Sequence, residues 1–231
     1  MPVAASSQST SRICPVGQSS SPKTLVVIGD SHAQMWMPAI LRLANRDGWA
    51  VLPLLRPGCT PDTWTAPRGL AACRPWYRWA TAQVQRLRPR VTVVSGALSG
   101  TEGAVARAAE RGMLAMAKAL KASSGRVVVI GDAPGLRLSP IDCLLARNAS
   151  MSLCTTTWPS HRLRAYDRVA AGSRALGVGF IDTRGWFCFQ RQCPTVITRT
   201  ITYRDYRHLT VAYALRLAWA FRASFRAAID R

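Results

Sequence analysis

Five short apolar runs constrain this chain more than any other feature: Leu25 to Ile28, Val51 to Leu55, Val91 to Val94, Val127 to Ile130 and Val178 to Ile181. They are rich in β-branched residues and carry few polar interruptions, as strands buried on both faces do. Helical patterns alternate with them, at Met37 to Arg46, Tyr77 to Leu87, Gly103 to Ala122, His161 to Leu176 and Thr210 to Ile229. The alternation predicts an α/β fold, a three-layer α/β/α sandwich around a mostly parallel five-stranded sheet. Ligands of such sheets bind outside the carboxyl ends of the strands. At 231 residues and 48% hydrophobic, one domain can bury a sizeable core.

The first run leads into a turn that carries chemistry. Leu25 to Trp36 reads LVVIGDSHAQMW, so Ser31 falls after the strand and at the start of a helix. Near the other end, Tyr203 to Tyr213 reads YRDYRHLTVAY and offers Asp205 and His208 three residues apart. Serine is a weak nucleophile until a base takes its proton, and imidazole suits that task near neutral pH. A carboxylate on the far ring nitrogen fixes the tautomer and stabilises the imidazolium as it forms. Ser31, His208 and Asp205 are therefore candidate nucleophile, base and orienter. A helix start also aims free N–H groups at a developing oxyanion, which makes the Ser31 turn half of an oxyanion hole. Each residue has a plainer reading, Ser31 as a helix cap and Asp205–His208 as a surface ion pair. Their occurrence together favours catalysis. Asp30 is assigned the shaping of the turn and no catalytic step.

The Gly-Asp-Ser and Asp-x-x-His elements are similar to blocks I and V of the SGNH hydrolase superfamily. GDSHAQMW, GWAVLPLLRPGCTP, VVVIGDAP, WFCFQRQCP and YRDYRHLTVAYALRLAW, taken in order, resemble the extracytoplasmic SGNH domain of acyltransferase-3 membrane proteins, actinobacterial type. The similarity runs from roughly Lys23 to Phe221. It implies an SGNH/flavodoxin-like sheet and O-acyl transfer, of acetyl first of all, from an acyl donor to a hydroxyl of a cell-envelope glycan or glycolipid. It also implies an acyltransferase-3 membrane protein as partner. The superfamily adds a glycine and an asparagine as further oxyanion donors. Gly58 fits the first position. The two asparagines, Asn45 and Asn148, fit neither, and Ser95, Gly96 and Ser99 stand where the second is expected. The oxyanion candidates are accordingly Ser31, Gly58 and Gly96. Two readings stay beside the transferase: a stand-alone carbohydrate or lipid esterase, and a non-catalytic basic module that binds the envelope.

Residues 1–22, rich in serine and without apolar periodicity, read as a flexible arm or linker remnant ahead of a catalytic domain at 23–231. They lack the basic start and apolar stretch of a secretory signal, and no run reaches the ~18 apolar residues of a membrane span. Six of seven cysteines form local pairs, Cys59 with Cys73, Cys143 with Cys154 and Cys188 with Cys193, each enclosing a turn-rich loop. Disulfides in an oxidising, extracytoplasmic compartment are the expectation, with Cys14 left over. A zinc site is the weaker alternative, since no CxxC occurs and there are only three histidines; no metal or cofactor is expected. Lysine and arginine number 31 against 11 acidic residues, a net charge of +20 that favours anionic partners such as a membrane surface or phosphate-bearing glycans. The even spread of these charges and the lack of a recognition motif argue against nucleic acid. His32, Trp36 and Tyr203 are candidate substrate-binding residues, with Trp186 and Tyr206 as further members of an aromatic wall. Trp76, Tyr77 and Trp79 face a membrane or a partner domain, or form a buried staple beside Cys73.

Overall fold

The structure, a computed structural model, describes residues 13–65, 72–98 and 103–230. The strands are β1 (Val16–Gly17), β2 (Thr24–Gly29), β3 (Ala50–Leu55), β4 (Val91–Ser95), β5 (Arg126–Ile130), β6 (Thr155–Thr157), β7 (Gly179–Ile181), β8 (Gln192–Pro194), β9 (Val196–Ile197) and β10 (Thr200–Ile201). The helices are α1 (Ser31–Gln34), α2 (Met37–Asp47), α3 (Asp62–Thr65), α4 (Cys73–Leu87), α5 (Gly103–Lys121), α6 (Pro140–Leu145), α7 (Ser160–Ala175), α8 (Val211–Arg216) and α9 (Ala218–Ile229).

The five apolar runs form the expected parallel sheet, in the order β3-β2-β4-β5-β7. Alternate side chains serve opposite faces. Leu25 and Val27 pack with α2, α8 and α9, while Val26 and Ile28 pack with α4, α5 and Val169 of α7. This makes the three layers. From β2 the chain goes first to β3 on one side and later to β4 on the other, so the end of β2 is the switch point at which open α/β sheets bind ligands.

The sheet has six strands rather than five. Val16 and Gly17, placed by the sequence in a flexible arm, pair antiparallel with Val51 and Ala50, and the Gln18 N–H donates to the Trp49 carbonyl at 3.0 Å. Two residues carry no readable periodicity, which is why the strand escaped the pattern. The arm reading is thus corrected for Val16 to Gln18. The C-terminal helical pattern divides at Leu217 into α8 and α9, and Thr210 caps α8 by accepting from the Tyr213 N–H at 3.1 Å. The short pairs β6–β8 and β9–β10 were not legible beforehand.

All three expected disulfides form, Cys59–Cys73, Cys143–Cys154 and Cys188–Cys193, and Cys14 is free and exposed. Trp76 and Tyr77 are buried against each other, with ring centroids 4.7 Å apart, and the Tyr77 hydroxyl donates to the Cys59 carbonyl at 2.6 Å. The core reading holds for this pair and the membrane-facing one fails; Trp79, partly buried, packs on the same cluster. Across the other face, the Asp47 carboxylate of α2 takes Arg222 Nη2 at 2.6 Å and Arg226 Nη2 at 3.0 Å, tying α2 to α9.

Candidate active site

The turn after β2 is built around Gly29. In-register pairing sets it between Leu55 and Ser95, and a Cβ there would lie 1.8 Å from the Ser95 carbonyl oxygen, so no other residue fits. Asp30 follows, fully buried, and caps α1 by accepting the His32 N–H at 2.7 Å. Ser31 thereby opens α1 at the carboxyl end of the sheet.

The partner residues come from the loop between β10 and α8. An antiparallel bridge between Tyr203 and Leu209 closes it, and the Arg204 N–H donates to the His208 carbonyl at 2.9 Å. Within it, Asp205 Oδ1 accepts the N–H groups of Arg207 at 2.9 Å and of His208 at 2.8 Å, the local side-chain to backbone turn that aspartate favours. His208 Nδ1 lies 2.8 Å from Asp205 Oδ2, and Nε2 lies 2.8 Å from Ser31 Oγ. Hydroxyl, imidazole and carboxylate form one continuous relay across 177 residues of sequence. Burial pushes the Asp205 carboxyl up, but the two N–H groups and the imidazole outweigh it and hold it below the usual range. It therefore stays ionised beside the ring, as an orienting group must.

His32 is not at the surface. It is 2% exposed, its Nδ1 lies 2.6 Å from Asp132 Oδ1, and its ring meets that of His208 edge-on with centroids 5.1 Å apart. Burial opposes its charged form, yet the Asp132 carboxylate, with Asp30 beyond it, more than compensates and raises its pKa. Asp132 also accepts the Leu98 N–H at 2.7 Å through Oδ2, and Asp30 accepts the Ala97 N–H at 3.0 Å. Two buried carboxylates thus pin the loop after β4 to the Ser31 turn. Asp132 was missed as a site residue. Its signal was present, since VVIGD occurs at Val26–Asp30 and again at Val128–Asp132, each time closing a strand of the central sheet.

The oxyanion candidates sit on loops that flank Ser31. Gly58, with φ +83°, lies in the turn after β3, where the Arg56 N–H donates to the Gly29 carbonyl at 2.9 Å. Gly96 follows Ser95 at the end of β4, and a Cβ there would lie 2.5 Å from Pro61 Cγ. The Ala97 and Leu98 N–H groups are committed to the two carboxylates and are not free donors. Ser99 lies outside the described residues.

The aromatic wall is corrected. Trp36 is fully buried against Trp186, Phe187 and Phe221, and Tyr203, 1% exposed, packs on Phe187. Both belong to the core between α2, α9 and the loop at 186–187, because a strand-end helix at a switch point turns its apolar side inward. With His32 also buried, none of the three candidate substrate-binding side chains presents a surface to substrate; Tyr206 is exposed. Among the described residues, no group of three or more metal-ligating side chains is placed to hold an ion.

A serine–imidazole–carboxylate relay at the switch point of a parallel α/β/α sandwich defines the class, an SGNH-fold domain with the geometry for acyl transfer or ester hydrolysis. More narrowly, the chain belongs to the SGNH domain family fused to AT3 domains, whose profile matches residues 3–223. Its fold is similar to the periplasmic domain of a lipopolysaccharide acetyltransferase from Salmonella ser. Paratyphi A, with TM-score 0.69 and 16% identity over 89% of this chain and 83% of that one. It is also similar to a catalytic mutant of an acetylxylan esterase from Geobacillus stearothermophilus, with TM-score 0.55 and 14% identity over 88% and 94%. A GDSL-like lipase fold from Parabacteroides merdae matches with TM-score 0.55 and 10% identity over 88% and 95%. At these identities the likenesses concern the fold. No curated protein matches the chain in sequence.

Proposed function

We propose that the protein is an O-acyltransferase that modifies hydroxyls of a cell-envelope glycan or glycolipid through an acyl-enzyme on Ser31. The observation that carries this reading is the relay itself, Ser31 Oγ to His208 Nε2 at 2.8 Å and His208 Nδ1 to Asp205 at 2.8 Å. His208 takes the Ser31 proton as Oγ attacks the donor carbonyl, then gives it to the leaving group. An acceptor hydroxyl, deprotonated by His208, attacks the acyl-enzyme in turn. The backbone N–H groups of Ser31, Gly58 and Gly96 are the proposed donors to the oxyanion. Family membership supports an AT3 membrane protein as partner and an extracytoplasmic setting, as do the disulfides. Among the described residues no helix is long and apolar enough to cross a membrane.

An anionic acceptor or membrane surface is supported by a cavity of about 620 Å³ between α5 and α7, lined by Arg107, Arg111, Arg162 and Arg164, with Arg168 paired to Glu110, and reaching Leu98 of the loop after β4. A second reading, ester hydrolysis, is favoured by the partial exposure of His208, 22% of its side chain, which leaves water free to reach the relay. The first test is hydrolysis of 4-nitrophenyl acetate by the oxidised protein beside Ser31→Ala and His208→Ala. Turnover is expected in the parent and a loss of 10³-fold or more, on the order seen when a triad member is removed, in both variants. Transfer to an added sugar acceptor in competition with water separates the two readings. Absence of turnover in folded protein leaves a transferase that depends on its membrane partner or the basic envelope-binding module.

A further inference from the structure

We propose that the acyl group carried by Ser31 is a medium-length alkyl chain, of about six to ten carbons, seated in a groove that begins at the nucleophile. The proposal rests on the acyl-enzyme reading above and departs from the acetyl group expected by resemblance.

A cavity of about 610 Å³ has Ser31 in its wall. That volume falls within the range of small-molecule sites, and an acetyl group would leave most of it empty. Its lining is mainly apolar: Met35 and Leu41 on the α1–α2 side, Leu55 at the end of β3, and Leu209, Val211 and Leu215 at and on α8. Val211 and Leu215 are 64% and 43% exposed, apolar surface that the folded chain leaves uncovered one helical turn apart. Besides Ser31 the polar members are Gln34, Arg42, Asn45 and Arg204. Chemistry fixes what enters such a groove from the Ser31 end. When Ser31 Oγ bonds to the donor carbonyl carbon, the bond from that carbon to the donor oxygen breaks, and the serine proton leaves through His208 with the departing alkoxide. The one substituent kept on the carbonyl is the acyl chain. A mainly apolar cavity with Ser31 in its wall is complementary to that chain, whereas a glycan needs polar partners for its hydroxyls.

The test uses the full oxidised chain with 4-nitrophenyl esters from acetate to decanoate, together with decanoate binding to Ser31→Ala by titration calorimetry. Each methylene that leaves water is expected to raise kcat/KM by about threefold, so octanoate should exceed acetate by roughly 30-fold if the groove takes three of its six further methylenes and by roughly several hundred-fold if it takes all of them. Leu215→Glu, which puts a charge in the groove wall, should cut the octanoate-to-acetate ratio about tenfold or more and abolish decanoate binding in the Ser31→Ala background. Leu145→Glu, on α6 and outside the groove, should leave that ratio unchanged. Turnover of acetate with a flat or falling chain-length profile overturns the groove while leaving the Ser31 chemistry standing. Decanoate binding without turnover of any ester overturns the acyl-enzyme reading, and the assignment of the chain to the donor falls with it.

Discussion

Asp30 and Asp132 end two strands with the same five residues, and each spends its carboxylate on the same short loop. Asp30 holds the Ala97 N–H and Asp132 the Leu98 N–H, while His32 stands between them with its backbone on the first and its ring on the second. The loop so held carries Gly96, the oxyanion donor proposed where the superfamily uses an asparagine. Asp132→Ala strands a buried imidazole and a buried amide together; a loss of about 3 kcal/mol in urea unfolding is expected. Ester turnover in the variant should fall tenfold or more, because the loop loses its anchor. The charge on His32 has its own signature. Its pKa is raised in the folded protein by Asp132 and Asp30 against the opposing effects of burial and Arg207. The stability it contributes is therefore full below its unfolded value of about 6.5 and is lost as pH rises through the folded value. The melting-temperature gap between the parent and His32→Gln should accordingly be widest near pH 6 and narrow in alkali, as scanning fluorimetry across pH would read. Ser31, Asp205 and His208 were legible because their motifs are local. His32 was not, since nothing in one sequence says that a residue at a helix start faces a carboxylate 100 positions away.

Elements fared according to their length. The strands β2 to β5 and the helices α2 and α5 match their apolar patterns to within a residue or two, because burial on both faces of a parallel strand leaves no other composition. The pieces that escaped, β1, β9 and β10 among them, are too short to show a period. Their places are set by tertiary pairing. The Trp36 and Tyr203 readings failed for a related reason: an aromatic residue beside a Gly-Asp-Ser or Asp-x-x-His element looks the same whether it faces solvent or core. The Cys59–Cys73 disulfide closes a loop with a sequence separation of 14, directly after the turn that holds Gly58. Replacing both cysteines by serine should lower stability by about 3 kcal/mol on loop-entropy grounds. It should also reduce turnover more than the same change at Cys143–Cys154, whose loop ends lie outside the relay; parallel melting curves and ester assays on the two double variants check this.

At the scale of the whole molecule, the sheet brings Ser31 from near one end of the chain to His208 near the other. The helices α2 and α9, packed on one face of that sheet, are joined through Asp47, 9% exposed, with Arg222 and Arg226 on its two oxygens. Burial raises the Asp47 carboxyl, but the hydrogen bonds from the two guanidinium groups prevail and hold it below 3.8. Its contribution is thus present above that pH and lost as pH falls through the lowered folded value. Asp47→Asn should cost about 2 kcal/mol at neutral pH and progressively less in acid, a convergence that denaturation series at several pH values would reveal. The antiparallel strand β1 has a different bearing on how copies of the chain behave toward one another. It lies along β3, the outermost of the long parallel strands, whose Ala50–Leu55 stretch would otherwise offer open backbone donors and acceptors on an apolar ribbon. Pro53 already removes one of those donors. A chain beginning at Lys23 would keep the relay and lose this cover, and its first symptom would be self-association through bare β-edges, rising with concentration and visible as light scattering before any loss of fold.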